Sequence, residues 1–113
     1  MEESILTCMI GSIIGDIVGS RFEHHNHRSK DFDLFAPACR PTDDSVMTLA
    51  IAEALMQSAP SYEETAAAAV RSMQKHGRAY PHAGYGGGFR RWLYSDTPAP
   101  YNSWGNGAAM RVS

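Results

Sequence analysis

Apolar residues recur at helical spacing in the first part of the chain. Over residues 5–18 they come in pairs four apart, the pattern of a helix that buries a broad face. Gly11, Gly15 and Gly19 are also four apart, and each glycine within a helix costs about 1 kcal/mol relative to alanine. We therefore expect close packing or a ligand along this helix.

A second helical pattern begins at Thr42 and continues to about Gln57. Thr42 is a favourable N-cap, and Asp43 and Asp44 fall in the first turn, where negative charge complements the helix dipole. Between the two helices, residues 21–41 lack an apolar period and contain histidines, charges and two prolines. We predict a loop here that is long enough to cover a site as a lid.

Turn residues separate further helical segments in the second half of the chain. Ser61 and Glu64 form a capping-box pattern, which predicts that a third helix opens at Ser61. No strand pattern of period two stands out, so the predicted fold is all-α, one helical domain over residues 1–113. The predicted later segments are helix 61–77, a glycine-rich turn at 84–88, a short helix at 89–94 and the start of another helix at 107–112.

Composition narrows the possible functions. The apolar fraction is 43%, the formal net charge is -2, and Lys and Arg form no basic stripe, which argues against nucleic-acid binding. Cys8 and Cys39 lack metal-type spacing and the density of a disulfide scaffold, so we interpret them as reduced thiols. The apolar segment 5–18 is shorter than the roughly 20 residues that a bilayer needs and lacks basic residues before it. We expect a cytoplasmic protein without a membrane span.

Two groups of residues invite a metal hypothesis. Thr42, Asp43 and Asp44 together offer the oxygen ligands that hard divalent cations prefer, but the spacing alone favours a simple helix cap whose aspartates complement the helix dipole. The histidines of segment 24–27 have no matching Cys or His elsewhere, so we interpret them as solvated. Lys75 and His76 are likewise expected to be solvated.

Three segments, taken in order, resemble the ADP-ribosylglycohydrolase family, which includes the dinitrogenase-reductase-activating enzymes and the ADP-ribosyl-acceptor hydrolases. They are GDIVGSRFE at 15–23, PTDDSVMT at 41–48 and SWGNGAAMR at 103–111, with Tyr80-Pro81 and Gly84-Tyr85-Gly86 as further similar positions. The resemblance implies an all-helical fold, an orthogonal bundle, with two Mg²⁺ or Mn²⁺ ions at its centre.

The resemblance also implies a role for individual residues. Thr42, Asp43 and Asp44 would ligate the metals, and Glu23 would be a catalytic residue on a flap that gates the substrate. Trp104 would either stack on the adenine or pack in the core. The implied substrate-binding residues are Asp16, beside the metal ligands, and Gly84, Gly86, Ser103, Trp104, Gly105, Asn106 and Gly107.

The activity implied by the resemblance is hydrolysis of the N- or O-glycosidic bond that joins ADP-ribose to a protein or to a small acceptor. Family members supply a second metal motif, Asp-x-Asp followed by Thr or Ser, and the 113 residues contain none. We therefore expect a truncated form, the N-terminal part of the family domain, that carries half of the metal site. The alternative is a non-catalytic member that binds ADP-ribose, a nucleotide or a protein partner. Uncovered apolar surface would favour a homo-oligomer.

Overall fold

The computed structural model of the chain describes residues 2–111; within the first helix it describes the side chains of Thr7 and of the residues from Met9 onward. The described residues contain helices and no strand, so the prediction of an all-α fold is confirmed. In chain order the elements are α1 (Glu2–Gly19), a 3-10 turn (Ser20–Phe22), α2 (Asp43–Ser58), α3 (Thr65–Ala79), α4 (Gly87–Leu93) and α5 (Gly107–Met110).

Helices α2 and α3 form the main packed pair, and the hydrophobic core lies beside the start of α2. Met47 and Leu93 are fully buried. Because Val46 and Met47 belong to the first two turns of α2, core packing fixes the end of the helix that carries the two adjacent aspartates. The core consists of Val46, Met47, Tyr85 and Leu93, with Met73, Ala83, Phe89, Trp92 and Met110 partly buried against it.

Gly77 allows α3 to approach α4 closely. A Cβ atom at this position would overlap with Cδ2 of Leu93. Polar contacts hold the same junction, since the Gln74 amide donates to the Trp92 carbonyl at 3.1 Å and Arg78 Nε donates to the Leu93 carbonyl at 2.6 Å. The end of α4 is therefore fixed to α3 by shape and by hydrogen bonds.

A polar cluster centred on Glu53 joins α2 to α3. The Glu53 carboxylate accepts a hydrogen bond from Ser72 Oγ at 2.6 Å, binds Lys75 Nζ at 2.5 Å and pairs with His76 Nε2 at 2.8 Å. These hydrogen bonds lower the pKa of Glu53 to about 2, and the hydrogen bond from Lys75 makes the largest contribution. Lys75 is exposed as predicted, whereas the expectation that His76 is solvated is wrong because its side chain is largely buried; both residues pair with Glu53 of α2.

The first helix forms, but its apolar face is less buried than predicted. Ile10 is 51% exposed and Ile14 is 43% exposed. The best-defined contacts of α1 with α2 are instead polar and come from Asp16 on another face of the helix. The predicted burial is therefore wrong for these two isoleucines. None of the helices in the described part of the chain combines the length and apolar character needed to cross a bilayer.

The third helix begins at Thr65, later than the predicted start at Ser61. Tyr62 has a φ of 60°, which a continuing right-handed helix does not allow. Glu64 occupies the N-cap position without a side-chain capping bond. The predicted capping box is therefore wrong, and a turn stabilised by the Thr65 hydroxyl, which donates to the Tyr62 carbonyl at 2.8 Å, replaces it.

Candidate active site

A cavity of about 580 Å³ opens between α1, the start of α2 and α5. Four carboxylates contribute to its wall, and none of its described lining residues is a Lys, Arg or His. This is the size range of pockets that hold small ligands. The acidic lining residues are Asp16, Glu23, Asp43 and Asp44, and the others are Ser12, Gly15, Gly19, Ser20, Thr48, Asn106, Ala109 and Met110.

Asp16 connects α1 to the first turn of α2. One carboxylate oxygen accepts from the Thr42 hydroxyl at 2.5 Å. The other accepts from Thr42 N at 2.7 Å, Ser45 Oγ at 2.6 Å and Ser45 N at 3.3 Å. Thr42 and Ser45 are buried, so a single carboxylate satisfies four donors that water does not reach freely. Asp16 thereby fixes the helix end on which Asp43 and Asp44 stand.

Thr42 caps α2, as predicted. Its hydroxyl accepts a hydrogen bond from Asp44 N at 3.2 Å, and its backbone is extended. On the other side, Asp43 N donates to the Ala83 carbonyl at 2.8 Å. Gly84 follows with a φ of +102°, and a Cβ there would lie 3.9 Å from Asp43 Oδ1. The glycine-rich loop therefore lies against the Asp43 carboxylate. Thr42 caps the helix and is not among the residues that line the cavity.

The carboxylates of the cavity repel one another. Burial, followed by the charges of Asp44 and Glu23, raises the pKa of Asp43 to about 6. Burial also raises the pKa of Asp44, with further contributions from the charges of Asp16 and Glu23, while the positive charge of Arg111 opposes the increase. A bound cation would relieve this repulsion.

The loop between the 3-10 turn and α2 is anchored at its beginning by an aromatic cluster. The Phe22 ring stacks on His27 at 4.8 Å between centroids and meets Phe32 edge-on at 5.3 Å. The Arg21 guanidinium lies 4.6 Å from the Phe22 centroid and donates to the Asp33 carbonyl. The predicted loop over 21–41 is thus largely confirmed, and its anchored end places Glu23 on the cavity wall.

The last predicted segment is only partly at the cavity. Asn106 lines it and Gly107 begins α5. Trp104 is 103% exposed, so the alternative that it packs in the core is wrong. The structure thus brings together Asp16, Glu23, Asp43, Asp44 and Asn106, places Gly84 beside Asp43, and leaves Gly86, Ser103, Trp104 and Gly105 outside the lining.

Comparison of the sequence with models of known protein families shows to which family the chain belongs. The family model described as ADP-ribosylglycohydrolase matches residues 1–113. The chain belongs to the ADP-ribosylglycohydrolase family. Searches among curated proteins and among solved structures found no match. The acidic cavity is therefore the candidate active site of an ADP-ribosylglycohydrolase chain.

Sequence reasoning missed two residues at this ADP-ribosylglycohydrolase site. Ser45 supplies two of the donors to Asp16, and its position directly after two aspartates was the only signal for it. Arg111 acts on the Asp44 charge although the two residues are far apart in sequence. Gly15 and Gly19 of α1, for which the sequence predicts close packing or a ligand, line the cavity together with Ser12.

The donors at the start of α2 fit a hard divalent cation. Asp43 and Asp44 present carboxylate oxygens, which Mg²⁺ and Mn²⁺ prefer, and burial together with the charges of neighbouring carboxylates raises the pKa of both. Among residues 2–111 as described, no three acidic, histidine or cysteine side chains converge as a complete ligand set. Mg²⁺ usually keeps several water ligands beside one or two carboxylates, so these two aspartates could hold it with water or substrate oxygens.

Proposed function

We propose that this cavity catalyses metal-dependent hydrolysis of the N- or O-glycosidic bond between ADP-ribose and a protein or small acceptor. The family relationship supports an ADP-ribosylglycohydrolase-type activity. The observation that supports the finer proposal is the presence of four carboxylates in one cavity that is large enough for a small ligand. ADP-ribose, free or attached to a protein, is the proposed ligand.

Asp43 and Asp44 would hold the Mg²⁺ or Mn²⁺. When bound, such an ion orients oxygen ligands, stabilises developing negative charge and lowers the pKa of a water molecule. Asp16 has a supporting role, since its four hydrogen bonds hold the first turn of α2 so that both aspartates project from a fixed position. Ribose hydroxyls would occupy this end of the cavity.

Glu23 is the proposed general acid–base. It follows the 3-10 turn, lies on the cavity wall, and is close enough for its charge to raise the pKa values of Asp43 and Asp44. A carboxylate at this position can take a proton from the attacking water or give one to the leaving group. Asn106, which also lines the cavity, offers an amide for a ribose or phosphate oxygen.

The proposal is tested by the release of ADP-ribose from an ADP-ribosylated protein in the presence of Mg²⁺ or Mn²⁺. Glu23→Gln should lower kcat about a hundredfold or more, the usual range for loss of a general acid–base, and leave ADP-ribose affinity nearly unchanged. Glu63→Gln is the matched control, because Glu63 is exposed in the turn before α3.

Two results would contradict catalysis by this cavity. One is a Glu23→Gln variant that releases ADP-ribose as fast as the unsubstituted protein. The other is an unsubstituted protein that binds ADP-ribose without releasing it from any acceptor, which would instead establish the non-catalytic binding function.

A further inference from the structure

Arg111 has donors for which the described residues provide no acceptor. Its Nε is buried and unpaired, and none of the hydrogen bonds in the described part of the chain involves its guanidinium. Arg21 also has a buried unpaired Nε, but its terminal nitrogen donates to the Asp33 carbonyl. A half-buried guanidinium without an acceptor is costly, because burial removes water from donors that gain no partner.

The Arg111 guanidinium is nevertheless held in a defined place. Its central carbon lies 4.3 Å from the centroid of the Phe89 ring. Phe89 in turn stacks on Trp92 at 5.3 Å with an interplanar angle of 13°. A Cβ at Gly107 would lie 3.0 Å from Nη2 of Arg111. The guanidinium therefore packs on an aromatic stack and against the start of α5, and a side chain at Gly107 would displace it.

The position of this charge matters because the cavity is acidic. Asn106, Ala109 and Met110 form the α5 side of the cavity, and Arg111 directly follows Met110 but is not itself a lining residue. Its charge interacts favourably with those of Asp43 and Asp44, but no ion pair joins them among the described residues. A ligand that carries phosphate would meet four carboxylates, and a cationic donor at the α5 side would offset this repulsion in addition to any metal at α2.

We propose that Arg111 binds a phosphate oxygen of the ligand at the α5 side of the cavity. The planar guanidinium offers parallel N–H donors that match a phosphate, and its aromatic support lowers the entropy lost on binding. This inference rests on the proposed function for the identity of the ligand, a diphosphate-bearing ADP-ribosyl group. It adds a residue that selects ligands with phosphate over those with the ribose alone.

The test is calorimetric titration with inorganic pyrophosphate in the absence of metal, and separately with ADP-ribose in the presence of Mg²⁺. Arg111→Gln should weaken both affinities about tenfold to a hundredfold, the range for losing a charge-assisted hydrogen bond. The matched control is Arg71→Gln, since Arg71 is exposed on α3, a helix that contributes no residue to the cavity lining. The control should bind both ligands like the unsubstituted protein.

Arg111→Lys keeps the charge and much of the packing, so it separates ligand binding from folding. It should show unchanged far-UV circular dichroism and bind pyrophosphate severalfold more weakly, because an ammonium lacks the paired donors. Pyrophosphate affinity that is the same in Arg111→Lys and the unsubstituted protein would overturn the proposal, as would an unsubstituted protein that does not bind pyrophosphate.

The two proposals fail separately. Arg111-dependent pyrophosphate binding without any release of ADP-ribose would overturn the hydrolase proposal alone. Release of ADP-ribose that requires Glu23, together with unchanged ligand affinities in Arg111→Gln, would overturn the role of Arg111 alone.

Discussion

Replacing Asp16 tests the contact that positions the candidate active site. Asp16→Ala removes the acceptor of four hydrogen bonds from Thr42 and Ser45, both of which are buried. Their backbone N–H groups have no substitute acceptor from an alanine, while their hydroxyls can rotate toward other partners. We therefore expect the substitution to destabilise the fold and to loosen the first turn of α2.

The magnitude follows from the kinds of hydrogen bond that are lost. A buried donor left without a partner costs about 1–3 kcal/mol, and such costs do not add fully when the donors share one acceptor. Two backbone N–H groups would lose their acceptor, and two hydroxyls would find other partners only in part. Asp16→Ala should therefore lower the free energy of unfolding by about 4 kcal/mol.

Asp16→Asn should cost less. An amide oxygen in place of Oδ2 keeps the three contacts to Thr42 N, Ser45 N and Ser45 Oγ, while the amide nitrogen faces the Thr42 hydroxyl. Because the remaining bonds lose their charge assistance, we expect a decrease of about 1–2 kcal/mol.

Urea unfolding followed by far-UV circular dichroism measures these differences, provided that the slope with denaturant stays constant. Asp96→Ala is the matched control, because Asp96 is exposed after α4. The reasoning would be refuted if Asp16→Ala and Asp96→Ala differed by less than about 1 kcal/mol, which is within the usual range of surface substitutions.

Three further predictions concern stability and ligand binding. Gly77→Ala should lower the free energy of unfolding by about 1–2 kcal/mol in urea titrations, because overlap with buried Leu93 outweighs the gain in helix propensity; a stabilised variant would contradict this packing. The folded-state pKa of Glu53 is about 2 against an ordinary 4.5, so its stabilising contribution is complete above pH 4.5 and is lost as the pH falls toward 2. Acid titration should therefore show a smaller loss of stability in Glu53→Gln, and equal acid sensitivity would rule this out. Trp104→Ala should change the free energy of unfolding by less than about 0.5 kcal/mol, because the indole is exposed. If the indole stacks on adenine, the same substitution should weaken ADP-ribose binding about fivefold. Equal ADP-ribose affinity in the variant and the unsubstituted protein would exclude stacking.

The sequence predicted those parts of the fold that local signals determine. Thr42 and the two aspartates after it give a strong helix start, and α2 begins there. The start of α3 depends instead on a turn in which Tyr62 has a positive φ and the Thr65 hydroxyl also pairs with Ser58 Oγ at 2.8 Å. The second contact joins two helices, so the capping-box spacing did not reveal it.

The candidate site shows the same division. The resemblance named five residues that the structure places in one cavity, including Glu23 and Asn106. It did not reveal that Asp16 bonds to Ser45, or that Arg111 packs on Phe89 and interacts through its charge with the aspartates. These relationships arise when α1, α2 and α5 meet, and residue spacing along the chain does not encode that arrangement.

Asp43 and Asp44 are proposed to bind a divalent cation that in turn holds an ADP-ribosyl ligand. The most direct test of this proposal is calorimetric titration of ADP-ribose with and without Mg²⁺, in the unsubstituted protein and in the Asp43→Asn, Asp44→Asn double variant. We expect Mg²⁺ to tighten ADP-ribose binding to the unsubstituted protein and to have no effect on ADP-ribose binding to the double variant. The same ADP-ribose affinity with and without Mg²⁺ in the unsubstituted protein would contradict the proposal.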